Sequence, residues 1–166
     1  MYTDLILMDK TADLEALAKS LSFSRIFFKD DFKKLKIEKA ININKNRELI
    51  EYKRIRILLN PQDNNSKDTL KEKSIGLNHI ILELARKNKI MIGLSLDQFS
   101  NIQSLGRITA IIQLCRKYKV KICVFSLAKA QHELKSAYDI ISLLKITGMT
   151  PGEAKTALNN VLTALK

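Results

Sequence analysis

Residues 76–96 read GLNHIILELARKNKIMIGLSL, and residues 104–126 read SLGRITAIIQLCRKYKVKICVFS. In each stretch an amphipathic segment ends in a basic cluster and an apolar run of strand length follows directly. The order is helix and then strand, twice. In the first stretch Leu77, Ile80, Ile81, Leu84 and Ala85 recur at the three-and-four spacing that gathers apolar side chains on one side of a helix. Arg86, Lys87 and Lys89 crowd its end, where positive charge suits the exposed carbonyls. Ile90, Met91, Ile92, Gly93 and Leu94 then make a run too short for a helix and apolar on both sides, as a strand covered on both faces requires. The second stretch repeats the pattern with Leu105, Ile108, Ile111, Ile112 and Cys115, then Arg116, Lys117 and Lys119, then Val120 to Phe125. Such alternation predicts parallel strands joined by right-handed helical crossovers. The working surface of folds of that kind lies at the carboxyl ends of the strands, here residues 95–98 and 126–131.

On the amino-terminal side, residues 2–8 suit an opening strand and 11–21 a helix that starts at Thr11 or Asp13 and buries Leu14, Leu17, Ala18 and Leu21. Residues 24–28 are expected as a second strand, 29–36 as a charged connection and 37–43 as a third strand. A helical turn or two over 44–52 leads to a strand over 53–59, where Lys53, Arg54 and Arg56 alternate imperfectly with Ile55, Ile57 and Leu58. Residues 60–74, with Pro61, Asp63, Asn64, Asn65, Ser66 and Asp68, form a polar surface loop with almost nothing to bury. On the carboxyl side, 130–145 is expected as a helix with Leu134, Ala137, Tyr138, Ile141 and Leu144 on one face, stopped by Gly148. Thr150, Pro151 and Glu153 open a last helix, which turns Ala154, Ala157, Leu158, Val161 and Leu162 inward. The count is about six strands, whereas a full eight-unit barrel takes roughly 200 residues or more. An α/β fold of the shortened, incomplete parallel β/α barrel type is the first expectation, and an open parallel sheet the second.

The chain has 166 residues, of which 46% are hydrophobic, enough for one well-buried core. A single domain over residues 1–166 is expected. Lys and Arg number 29 against 17 Asp and Glu, a formal charge of +12, which favours a polyanionic partner. The plain alternative is a basic protein whose lysines are dispersed over helix exteriors. No run of about 18 apolar residues and no basic-then-apolar leader is seen, so the expected location is the cytoplasm, with no membrane partner. Cys115 and Cys123 lack paired-thiol spacing and are expected as reduced, buried hydrophobes. Aromatic residues make up 6% and Trp is absent, so a base-stacking platform is not expected. A nucleic-acid partner would be read by shape and backbone.

Five blocks stand in a recognisable order: Ser74-Ile75-Gly76-Leu77-Asn78-His79, Ile92-Gly93-Leu94-Ser95-Leu96, Leu114-Cys115-Arg116-Lys117-Tyr118-Lys119-Val120-Lys121, Ser136-Ala137-Tyr138-Asp139-Ile140-Ile141-Ser142-Leu143 and Thr147-Gly148-Met149. From about residue 76 to the end the chain resembles the ribonuclease P protein component 3 family, which includes the thirty-kilodalton subunit of the nuclear enzyme. The resemblance implies an incomplete barrel of the polymerase-and-histidinol-phosphatase (PHP) type. It implies a protein subunit of ribonuclease P, the ribonucleoprotein that removes the 5′ leader from precursor tRNA. In that family the RNA component uses the catalytic Mg2+, so this subunit is expected to carry no catalytic residue and to bind no cofactor. The implied partners are the ribonuclease P RNA, ribonuclease P protein component 2 and, indirectly, precursor tRNA.

Related barrels that hydrolyse phosphoesters hold metal ions with an opening strand of the form Asp-x-His-x-His. The matching positions here are Asp4, Ile6 and Met8, and the whole chain has only His79 and His132. An imidazole-built metal centre cannot be assembled from two, so no metal site is expected. Asp4, Asp9 and Asp97 remain as weak Mg2+ binders or as solvated carboxylates. The competing classes are an autonomous metal-dependent phosphoesterase on the same barrel, and a scaffold that binds only protein.

The candidate contacts each have a structural alternative. Asn78 and His79 begin a helix, where N–H groups favour an anion; they contact RNA phosphate or a partner loop, or else Asn78 caps the helix and His79 bonds locally. Ser104 and Arg107 open the next helix, with Arg107 offering a fork to phosphate or to an internal carboxylate. Arg116, Lys117, Lys119 and Lys121 lie at the amino-terminal end of their strand, away from Ser95 and Ser126, and at least Arg116 and Lys117 also serve as a helix charge cap. Lys53, Arg54 and Arg56 form a second cluster with the same two readings.

Overall fold

A computed structural model of the chain describes residues 2–62, 75–100 and 102–165. The elements run β1 (Thr3–Leu5), α1 (Ala12–Ser20), β2 (Arg25–Phe27), α2 (Asp31–Leu35), β3 (Ile37–Lys39), α3 (Ile43–Glu51), β4 (Ile57–Leu59), α4 (His79–Asn88), β5 (Met91–Ser95), α5 (Ile102–Tyr118), β6 (Ile122–Phe125), α6 (Ala137–Ile146) and α7 (Pro151–Ala157). Single 3-10 segments follow at Leu96–Ser100, Gln131–Glu133 and Asn160–Leu165. Every strand pair is parallel: β1 with β2, and β3-β4-β5-β6 in one sheet. The two sheets meet where the Leu127 N–H donates to the Leu5 carbonyl at 3.0 Å and the Leu7 N–H to the Ala128 carbonyl at 2.8 Å. The spatial order is therefore β2-β1-β6-β5-β4-β3. Among the described residues no pairing joins β2 to β3, so the barrel is incomplete, as expected.

Side-chain alternation along the strands sorts the core into two layers. Leu5, Phe27, Ile37, Ile57, Leu59, Met91, Cys123 and Phe125 form an inner cluster that Leu35 and Val161 complete. Leu58, Ile92, Leu94 and Val124 face outward, under Ile81, Leu82 and Ala85 of α4 and Ile108, Ile111, Ile112 and Cys115 of α5. Each such aliphatic side chain contributes roughly 1.5–3 kcal/mol by leaving water. Gly93 lies in the inner layer, where a Cβ would fall 2.9 Å from Ile57 Cγ2 and 3.2 Å from Leu59 Cδ1. The carboxyl-terminal segment seals the amino-terminal mouth: the Thr3 N–H donates to the Leu158 carbonyl at 3.1 Å, and Asn160 Nδ2 donates to the Ile122 carbonyl at 2.7 Å.

The two organising units fold as expected, and local signals fix the last helix as well. Thr150 accepts from the Glu153 N–H, and the Glu153 carboxylate accepts from the Thr150 N–H, a complete capping box. Gly148, at φ 96, supplies the left-handed turn before it.

Elsewhere the boundaries move. The expected charged connection over 29–36 contains α2, because Asp31 accepts from the Phe28 N–H and pairs with Lys34 at 3.1 Å while Leu35 is buried. The third strand ends at Lys39: Asn46, itself buried, accepts from the Ile41 N–H and donates to the Gly76 carbonyl, and Asn42 caps α3. The fourth strand starts only at Ile57, since Lys53 takes a left-handed turn at φ 53. The helix expected over 130–145 is split, with Ser136 capping α6 and the chain extended just before it. Of the expected loop at 60–74, the first three residues are buried and 63–74 lie outside the described residues.

Candidate nucleic-acid interface

The carboxyl mouth of the barrel is occupied by its own hydrogen bonds. Asn60 accepts from the Ser95 N–H at 2.9 Å and donates to Ser95 Oγ at 2.6 Å, and Ser95 Oγ donates to Asp97 Oδ1. Asp4 is fully buried; its Oδ1 accepts from the Leu5 N–H at 2.8 Å and from the Ser126 N–H at 2.7 Å, while Oδ2 has no partner. Burial pushes the Asp4 carboxyl up to about 6, against the lowering effect of the Ser126 and Leu5 bonds. Ile6, at a position where related metal-binding strands carry His, packs instead against Leu14, Phe28, Ala128 and Leu134. Among the described residues no group of three or more His, Cys, Asp or Glu is placed to hold a metal ion.

The candidates at the same end are partly spent on the fold. The Asn78 carboxamide oxygen caps α4 by accepting from the Ile81 N–H at 2.9 Å, and His79 follows it, exposed, as the first residue of that helix. Ser104 and Arg107 sit half-buried in the first turns of α5, and Arg107 Nη1 donates to the Gln62 carbonyl at 3.0 Å. Gln62 is buried with both side-chain polar atoms unpartnered.

The other candidates gather at the opposite end. Helices of this fold run back toward the amino-terminal ends of the strands, so α3, α4 and α5 all finish on one rim. Lys89 and Lys119 adopt left-handed conformations at φ 58 and 56 and turn each helix into its strand. The strand register then places the two sequence clusters side by side. Ile57 pairs with Met91 and Ile92 with Ile122. The Met91 N–H donates to the Arg56 carbonyl at 2.9 Å and the Ile92 N–H to the Lys121 carbonyl at 3.0 Å, so Arg56 and Lys121 flank the start of β5.

Arg56, Arg86, Lys89, Lys119 and Lys121 line one groove of about 480 Å³ there, and among the described residues no carboxylate lines it. In the sequence Arg86 and Lys89 read only as a positive cluster at a helix end and not as contact residues. Their signal was the equivalence of the two helix-strand units, which puts them where Arg116 and Lys119 stand in the second.

Arg116 is engaged inside the fold. Its Nε and Nη2 donate to the two Glu153 oxygens, each at 2.7 Å, and Nη2 also donates to the Gly148 carbonyl. The guanidinium holds the Glu153 carboxyl down at about 2. Lys117 Nζ lies 5.5 Å from the Tyr118 ring centre, and the Arg54 guanidinium 5.3 Å from that of Tyr52. Lys53 is exposed at its turn. Both cysteines are free and buried, and burial raises both thiols, Cys115 to about 12. No helix among the described residues is long and apolar enough to cross a membrane.

A parallel β/α barrel left open between β2 and β3, with hydrogen-bonded polar side chains at its carboxyl mouth and a basic amino-terminal rim, is the class these features define. The family model described as RNase P subunit p30 matches residues 65–166, and the chain belongs to that family. Ribonuclease P protein component 3 of Methanosarcina mazei is 29% identical over 122 residues, 70% of this chain and 48% of that protein. The proteins of the same name from Methanosarcina acetivorans and Methanococcoides burtonii are 27% and 28% identical over 122 and 120 residues, covering 70% and 69% of this chain and 48% and 46% of theirs. The chain thus spans about half the length of the curated relatives it matches. In fold it is similar to a chain in a cryo-EM structure of archaeal ribonuclease P with mature tRNA: TM-score 0.67, 17% identity, 98% of this chain and 79% of that one.

Proposed function

We propose that the chain is a protein subunit of ribonuclease P and supports the catalytic RNA in removing the 5′ leader from precursor tRNA. The family match over residues 65–166 is the observation that carries this reading. The sequence and the geometry agree with it. Apolar Ile6 and Met8 stand where a phosphoesterase of the related barrel type would need imidazoles, which favours a non-catalytic subunit over an autonomous hydrolase. The excess of 29 Lys and Arg over 17 Asp and Glu supplies charge for a polyanion. Lysine and arginine offset phosphate repulsion where RNA helices pack and release counterions, so the RNA folds at a lower Mg2+ concentration. The Mg2+ used in catalysis belongs to the RNA component. The direct partners are that RNA and ribonuclease P protein component 2, with precursor tRNA touched indirectly, and the assembly works in the cytoplasm.

Reconstitution tests the reading. Ribonuclease P RNA and component 2 are assayed for cleavage of precursor tRNA across a Mg2+ titration, with and without this chain. The chain is expected to lower the Mg2+ concentration that gives half-maximal cleavage. An unchanged Mg2+ profile, or cleavage of phosphodiesters by the chain alone with a tightly bound metal, overturns the proposal.

A further inference from the structure

From the groove on the amino-terminal rim we infer that this end of the barrel, opposite the usual working face, is the RNA seat, and that it grips the sugar-phosphate backbone of a helical segment. The inference rests on the ribonuclease P reading above and adds to it which face is used and what part of the RNA it takes. Five cations, Arg56, Arg86, Lys89, Lys119 and Lys121, line one groove, with no carboxylate in its lining among the described residues. Helix capping accounts for Arg86, but not for Lys121, which lies beyond the helices and immediately before β6. Arg116 on this side is held by Glu153 and lines the neighbouring groove, which Lys121 also borders.

The register supplies the dimension. Arg56 and Lys121 stand on either side of the start of β5, two strand spacings or about 9.5 Å apart. A nucleic-acid duplex presents one phosphate per strand every ~3.4 Å along its axis, so such a span faces about three phosphates. Among the described residues no aromatic ring lines the groove, so they offer no platform for an unstacked base. Backbone contact by cations on a fixed sheet edge suits helical RNA, whose shape and phosphates are what proteins read.

The test is fluorescence anisotropy of the full chain with an RNA duplex of about 12 base pairs and a single strand of equal length, titrated with KCl. For the duplex, the slope of log affinity against log salt should be about −3. Lys89→Gln with Lys121→Gln should flatten it by about 2 and weaken binding at least tenfold at low salt. Lys89→Arg with Lys121→Arg should retain the slope. Lys29→Gln with Lys129→Gln, the same charge change on the carboxyl rim, should leave it unaltered. Equal slopes for wild type and the Lys89/Lys121 double variant, or tighter binding of the single strand than of the duplex, overturn the inference.

A double variant that keeps its RNA affinity but no longer co-elutes with component 2 makes the groove a protein site, and also overturns it. The Mg2+ titration of the reconstituted enzyme separates the two proposals. If the wild-type chain leaves it unchanged, the ribonuclease P reading fails. If wild type and double variant lower the Mg2+ requirement equally, only the placement of the RNA fails.

Discussion

Asp4 keeps a carboxylate where related barrels begin a metal site, but the chain has turned it into a seam between strands. One oxygen is shared by two backbone amides and the other is buried with no partner, so its charged form is poorly solvated. The carboxyl titrates near 6 in the folded chain against an ordinary value of 3.8. The folded state therefore holds this proton more tightly than the unfolded one. The stability linked to it is fully present below pH 3.8 and is lost as pH rises through 6, a difference of roughly 3 kcal/mol. Asp4→Asn keeps the acceptor oxygen and cannot ionise. Thermal melts should show its advantage over wild type growing between pH 4 and 7, by several degrees; parallel pH profiles would refute this account of Asp4. Gly93 is the converse case, a residue chosen for what it lacks. Gly93→Ala brings a methyl to 2.9 Å from Ile57 Cγ2 in the closely packed interior. Urea unfolding should show a loss of about 1–3 kcal/mol.

Between elements, the fork from Arg116 on α5 to Glu153 on α7 fixes the corner through which the chain returns to the amino-terminal mouth. Glu153→Gln preserves the capping box and removes the charge. With both side chains largely in solvent, a small loss of thermal stability is expected at neutral pH. Because the Glu153 carboxyl is depressed from 4.5 to about 2, that stability is present above pH 4.5 and fades as pH falls toward 2, where variant and wild type should melt together. Elements whose signal is local were legible in the sequence: α4-β5 and α5-β6 by apolar period, α7 by Thr150, Pro151 and Glu153. The helix α2 was not, because five residues with one buried leucine carry no period to detect. The third strand was read too long because Ile41 and Ile43 look like strand residues; both are exposed, and the side chain of Asn46 ends the extended segment. The basic residues were visible as two clusters attached to different helices and strands. What joins Arg56 to Lys89 and Lys121 is the register of three strands, a long-range fact that no local spacing records.

Over the whole molecule, the two ends of the barrel carry different surfaces. The carboxyl rim, where helices begin, exposes Ile41, Ile43, Ile80 and Ile102, while the amino-terminal rim presents the cationic groove. The interior between them is completed from the far end of the chain, since Val161 packs with Met91, Cys123 and Phe125. Val161→Ala should cost about 1.5 kcal/mol from the lost burial, and removal of residues 158–165 should abolish the cooperative transition in calorimetry. A truncated chain that still melts sharply would show that the interior packs without this segment. The bond from Thr3 to Leu158 has a further consequence for synthesis. A ribosome delivers Leu158 155 residues after Thr3, so the opening strand must wait for all of that intervening chain before it meets the carbonyl that anchors it. Until then the inner apolar surface stays without its cover, and a nascent-chain holdase has its longest opportunity to bind there.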